Sequence, residues 1–157
     1  MQYNILDIYY IMSNNDLDID ELLHALDNEN NASIIKLTTR KIKDQKNNIL
    51  QQLQLPREKL KELHKKLQEY RYVNDIDDIE YGRYIRWIPL KDPEKIKLTN
   101  GAIVCDLRIF NKQIHIRCKN NLHHMMQLIL DECIVFQKLT DQEKVVLSVL
   151  DHLEKGE

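Results

Sequence analysis

A chain of 157 residues, 43% apolar and 31% charged, has the composition of a folding polypeptide, about one domain or a small domain with a helical appendage. Three Gly and three Pro leave little material for Gly-rich phosphate loops, and three Cys, an odd number, argue against a secreted disulfide framework and for a reducing compartment. No apolar run reaches the length of a membrane span, and "MQYNILDIYY" lacks a basic leader and carries Asp7, so neither a membrane partner nor a signal peptide is expected.

The net charge of −2 conceals strong segregation. Residues 1–32 hold seven acids and no Lys or Arg; residues 33–72 hold eleven bases against four acids; residues 73–81 add four acids. Residues 82–119 return to nine bases against three acids, and 120–157 carry seven acids and three bases. Either these segments neutralise one another within the fold, or the two basic blocks share a face that meets a polyanion.

In chain order, "YNILDIYYIM" (3–12) reads as a short helix, and Asp18 or Asp20 caps a second with Ile19, Leu22, Leu23 and Leu26 on one face. Ser33 begins a longer helix on which Ile35, Ile42 and Ile49 recur every seven residues. Pro56 starts another, with a stripe of Leu60, Leu63, Leu67 and Tyr70. The stripe is narrow, so 1–72 is expected to be a helical hairpin or coiled coil, with self-association as its ordinary use. "YVNDIDDIEYG" is an acidic connector, after which the period switches to two.

"RYIRWIPL" reads as a strand, and Asp92-Pro93 and Asn100-Gly101 are turn signals. "AIVCDLRIFNKQIHIRC" reads as a hairpin. With Asn111-Lys112 as a two-residue loop, Ile109 faces Ile114, Leu107 faces Ile116 and Cys105 faces Cys118; on the other face Arg108 meets His115 and Asp106 meets Arg117. One face is then apolar and the other holds an opposite-charge pair, which supports the register. Lys112 is a poor second residue for such a turn, so a longer loop stays open. "HHMMQLILDECIVFQKL" adds one or two strands broken near Asp131-Glu132, and Thr140 with Glu143 forms a capping box for a last helix faced by Val146, Val149, Leu150 and Leu153. The fold class expected is α+β: the helical region 1–72 plus a small antiparallel SH3-like barrel, 82–157, closed by the C-terminal helix.

Cys105, His115, Cys118, His123, His124 and Cys133 crowd one stretch, but His115 and Cys118 lie three apart on a strand and point to opposite faces, so they do not converge on a metal. Cys105 and Cys118 as cross-strand neighbours are open to being thiols, a disulfide or metal-bound; buried thiols are the ordinary outcome. HExxH, Walker A and GxGxxG patterns are absent, and the carboxylate pairs Asp77-Asp78 and Asp131-Glu132 sit in turn contexts. No catalytic residue, metal or cofactor is expected, and the chain is read as a non-enzyme. On the strand 83–90, Tyr84 and Arg86 point opposite to Ile85 and Trp87. If they join the polar face of the hairpin, Tyr84, Arg86, Arg108, His115, Arg117 and Lys119 form one basic, partly aromatic contact surface, and Trp87 lies in the core.

"YRYVNDIDDIEYGRYIRWIPL", "LTNGAIVCD", "IRCKNN" and "VFQKLTDQEKVVLSVLDHL" resemble a family of uncharacterised small proteins encoded by giant DNA viruses, over roughly residues 55–155. The resemblance implies a viral origin, a small β-barrel, and residence in the host cytoplasm or the virion. It carries no catalytic motif, so no site residue transfers. The expectation is a non-enzymatic viral binding or structural module acting through protein–protein contact; the alternative is a nucleic-acid-binding protein that uses the basic sheet face and the basic helices.

Overall fold

The computed structural model describes residues 37–155 and, before them, Asp20, His24, Ala25 and Ile34. The helices expected over 3–12 and 18–26 lie outside the described residues, save for Asp20, His24 and Ala25 within the second. In chain order the elements are helix α1 (Thr39–Gln51), helix α2 (Arg57–Lys66), strands β1 (Tyr70–Val73), β2 (Tyr84–Pro89), β3 (Ala102–Phe110), β4 (Gln113–Lys119), β5 (Met125–Ile129) and β6 (Cys133–Lys138), and helix α3 (Asp141–Lys155). The fold is α+β. The six strands form one antiparallel sheet in the order β1-β6-β2-β3-β4-β5.

The described residues fall into two compact units. One spans 43–138; the other combines residues up to 42 with those from 139 onward. The charge divides the same way. Residues 43–138 hold 18 Lys and Arg against 13 Asp and Glu, a net of +5, and the rest of the chain sums to −7.

Within 43–138 the alternation of each strand sorts two cores onto the two faces of the sheet. One holds Val73, Ile85, Trp87, Ala102, Val104, Ile116, Cys118, Leu128 and Val135. Trp87 is therefore core, at 5% exposure. The opposite face buries Tyr70, Ile88, Ile134 and Phe136 beneath Leu50 of α1 and Leu63 and Leu67 at the end of α2. A closed barrel has one interior, but the middle strands here bury both faces, one of them under helices. The sheet consequently stays open with β1 and β5 as its edges, not closed into the expected SH3-like barrel. The added strand is β1. Tyr70, read as the end of a helical stripe, starts it, because α2 stops at Lys66 with Leu67 as its C-cap.

The coiled-coil pattern is also divided. α1 begins at Thr39, with Leu37 and Thr38 outside it, so the expected start at Ser33 does not hold. Ile42 packs with Ile34, Val146, Leu147 and Leu150 in the second unit, whereas Ile49 packs with Leu50 and Leu53 in the first; Ile35 lies outside the described residues. One seam thus serves two separate cores. The break at Pro56 is real, and Lys46, at 5% exposure, donates from Nζ to the carbonyl of Leu67 at 2.8 Å, a cation satisfying the C-terminus of α2.

In the second unit α3 starts with the capping box: Glu143 N–H donates to Thr140 Oγ1 at 3.1 Å, and Thr140 N–H donates to Glu143 Oε1 at 2.9 Å. Val146, Val149 and Leu150 are buried. No helix among the described residues is long and apolar enough to cross a membrane.

Candidate nucleic-acid interface

The site is built on the β3–β4 hairpin. Asn111 and Lys112 make the two-residue turn with φ of 49° and 64°, the left-handed pair that a type I′ turn requires, Lys112 included. The register follows: Phe110 pairs with Gln113, Ile109 with Ile114, Arg108 with His115, Leu107 with Ile116 and Asp106 with Arg117. Beyond Asp106 it shifts. A bulge between Val104 and Asp106 sets Val104, in place of Cys105, opposite Cys118, and Ile103 opposite Lys119. The expected Cys105–Cys118 pair is thereby undone: Cys105 is exposed and Cys118 is buried. Burial pushes the Cys118 thiol up to about 11, and the Cys133 thiol likewise.

The bulge keeps the polar face continuous into β2, where Tyr84 pairs with Ile103. Strand alternation then lays out one surface in rows. Tyr84, Ile103, Lys119 and Met125 form the first, and Asp106, Arg117 and Gln127 the second. Arg108, His115 and Ile129 form the third, and Phe110 with Gln113 the last. All six expected contact residues lie on this face, but they divide in role. Tyr84 donates from its hydroxyl to the Asn100 carbonyl at 2.8 Å, and Arg86 donates from Nε to the Thr99 carbonyl at 2.8 Å. Both hold the turn before Gly101. Gly101 has φ +99°, and a Cβ there would come within 2.5 Å of the Ile85 carbonyl oxygen, so only glycine lets the turn close on β2.

Arg108, His115, Arg117 and Lys119 form the more open part. Arg108, Arg117 and Lys119 are exposed, and Asp106 binds Arg108 at 2.7 Å while standing opposite Arg117. With Arg86 the face carries four fixed cations against this one carboxylate. His115 Nδ1 lies 2.9 Å from Gln127 Nε2, and its ring meets that of Phe110 nearly edge-on at a 6.0 Å centroid separation and 73°. Three apolar side chains share the face in the open: Phe110 at 64% exposure, Met125 at 51% and Ile103 at 44%. Sequence reasoning missed these. The hairpin register already puts Phe110 on the polar face opposite Gln113; the place of Ile103 depends on the bulge, and that of Met125 on a β4–β5 register with no turn signal to fix it.

Elsewhere in the 43–138 unit, a cavity of about 510 Å³ opens among Ile49, Leu53, Tyr72, Leu130, Asp131 and Cys133. Its lining includes one carboxylate, Asp131, and the Cys133 thiol, which burial and then Glu132 push up to about 11. No group of three or more His, Cys, Asp or Glu among the described residues is placed to hold a metal ion. No family model, curated protein or solved structure matches the chain.

Proposed function

We propose that the protein is a non-enzymatic binding module that engages nucleic acid through the outer face of β3, β4 and β5. The observation that carries this reading is the gathering of Arg108, Arg117 and Lys119, with His115, on one open sheet face with a single opposing carboxylate. Opposite charges pair favourably across neighbouring strands and like charges opposed there cost stability; here one sign prevails, within a unit of net +5. Burial pushes the Cys118 and Cys133 thiols up to about 11, so neither is a ready nucleophile near neutral pH. The resemblance to small giant-virus proteins supports a place in the host cytoplasm or virion.

The stripe that suggested self-association through the helices covers the sheet instead: Leu63 and Leu67 pack with Ile88 and Phe136, and Leu60 joins them. Protein docking keeps one specific observation in its favour, the 70% exposure of Ile109 at the hairpin turn on the face opposite Phe110.

Charge reversal tests the assignment. Arg117→Glu with Lys119→Glu should abolish binding to labelled oligonucleotides, whereas Lys59→Glu with Lys61→Glu on α2 should change it little. Equal losses from both pairs would put the binding down to overall charge and overturn the assignment to this face.

A further inference from the structure

The cations account for contact with phosphates and leave Phe110, Ile103 and Met125 without a role. We infer that the ligand of this face is single-stranded nucleic acid, with a base stacked on Phe110 and further bases laid against Ile103 and Met125; this rests on the reading just given. Phe110 stands at one end of the face and the Ile103–Lys119–Met125 row at the other, six residue steps apart along β4, from Gln113 to Lys119. At about 3.3 Å per residue that is roughly 20 Å. Arg108 and Arg117 lie between the two ends. Such a span suits about four nucleotides, the small end of what a single sheet surface holds.

The alternation of apolar ends and cationic middle decides between single strand and duplex. A duplex presents phosphates outward and keeps the faces of its bases stacked inside, so it would meet the cations and leave three apolar side chains in water. Reading its major groove takes a projecting helix or ribbon, and this face is a sheet surface. A single strand offers the base faces that Phe110 needs. The Phe110 ring already has one partner, the near-edge contact with His115, whose Nδ1 lies 2.9 Å from Gln127 Nε2. Stacking on a positioned ring costs less ordering than stacking on a free one.

The experiment uses the full chain with fluorescein-labelled oligo(dT), oligo(U) and a mixed-sequence duplex, comparing wild type with Phe110→Ala and Phe110→Trp. Phe110 is exposed, so neither variant should disturb the core, and the emission of the buried Trp87 in Phe110→Ala checks this. Phe110→Ala should weaken single-strand binding by about 5- to 100-fold, the worth of one stacked base, with the salt slope unchanged. Phe110→Trp should bind and show emission quenched by single strands and not by duplex; the better of the two homopolymers tells RNA from DNA. Unaltered single-strand affinity in Phe110→Ala, or equal affinity for duplex, would overturn this inference and leave the basic face standing as a phosphate-binding surface. Absence of binding to all three would overturn both.

Discussion

The carboxylate of Asp151 caps the helix that begins at Thr39, 112 residues earlier in the chain: Oδ1 accepts from the Thr39 N–H at 2.9 Å, and Oδ2 accepts from the Thr39 hydroxyl. The same helix start is capped a second time from within, since Thr38 Oγ1 accepts from the Lys41 N–H at 3.2 Å. α1 has no acidic residue in its own first turn, so Asp151 supplies the negative charge that the helix N-terminus favours. Asp151→Ala should lower stability by about 1 kcal/mol, and Asp151→Asn by less, because the amide keeps an acceptor and loses the charge. Urea denaturation of the three proteins measures the order. An alanine variant as stable as wild type would mean that Thr38 alone suffices.

Gly101→Ala should be among the most damaging single-methyl additions in this chain. A φ of +99° strains any residue with a side chain, by about 1–3 kcal/mol, and the new Cβ would meet the Ile85 carbonyl at 2.5 Å, backbone that cannot swing aside. Gly82, at φ +79° with open space around it, is the internal control: Gly82→Ala carries the strain without the clash. Thermal unfolding should rank Gly101→Ala clearly below Gly82→Ala, and the reverse order would contradict the close approach to β2.

The bulge in β3 can be read from thiol chemistry. Cys105 is exposed, while Cys118 is buried with its thiol pushed up to about 11 by burial and, secondarily, by Cys105; Cys133 is raised similarly by burial and then by Glu132. Iodoacetamide near neutral pH should therefore label the folded protein at Cys105 first, and all three cysteines only after unfolding. Peptide mapping distinguishes the sites. Preferential labelling of Cys118, or a Cys105–Cys118 disulfide forming readily under mild oxidation, would restore the unbulged pairing.

Stability should fall on mild acidification, in part through His64. Desolvation, and then the charge of Lys46, hold its pKa below the ordinary imidazole value. Just below that ordinary value the unfolded chain binds a proton that the folded chain does not. Stability therefore rises with pH across the window and levels off above it. His64→Gln should show a smaller difference in unfolding free energy between about pH 5 and about pH 7.5 than wild type does. An unchanged difference would remove His64 from the account.

Much of this was legible in the residues, and the misses have physical causes. The hairpin turn, its register from Asp106 to Phe110, the core position of Trp87 and the Thr140–Glu143 capping box all follow from local chemistry: turn residues, two-residue alternation, a side chain that reaches its own helix end. Strand β1 was hidden because Leu60, Leu63, Leu67 and Tyr70 continue a helical spacing, and only pairing with β6, more than sixty positions further on, makes Tyr70 extended. The Cys105 bulge is likewise invisible locally, since unbroken alternation through Cys105 is equally good as a sequence pattern. The six contact residues could be placed on one face from alternation. Which of them hold a turn, as Tyr84 and Arg86 do, depends on the approach of Thr99 and Asn100 to β2.

The central claim is that the β3–β5 face binds a polyanion through its cations. Fluorescence anisotropy of a labelled single-stranded oligonucleotide against the full chain, repeated over a salt series, tests it most directly. With Arg108, Arg117 and Lys119 each displacing a counterion, affinity should fall steeply, with a log–log slope of about −2, and Arg117→Ala should make that slope shallower by about 0.7. Binding that ignores salt, or none at low salt, would contradict the account and leave the segregated charge as an internal feature of the fold.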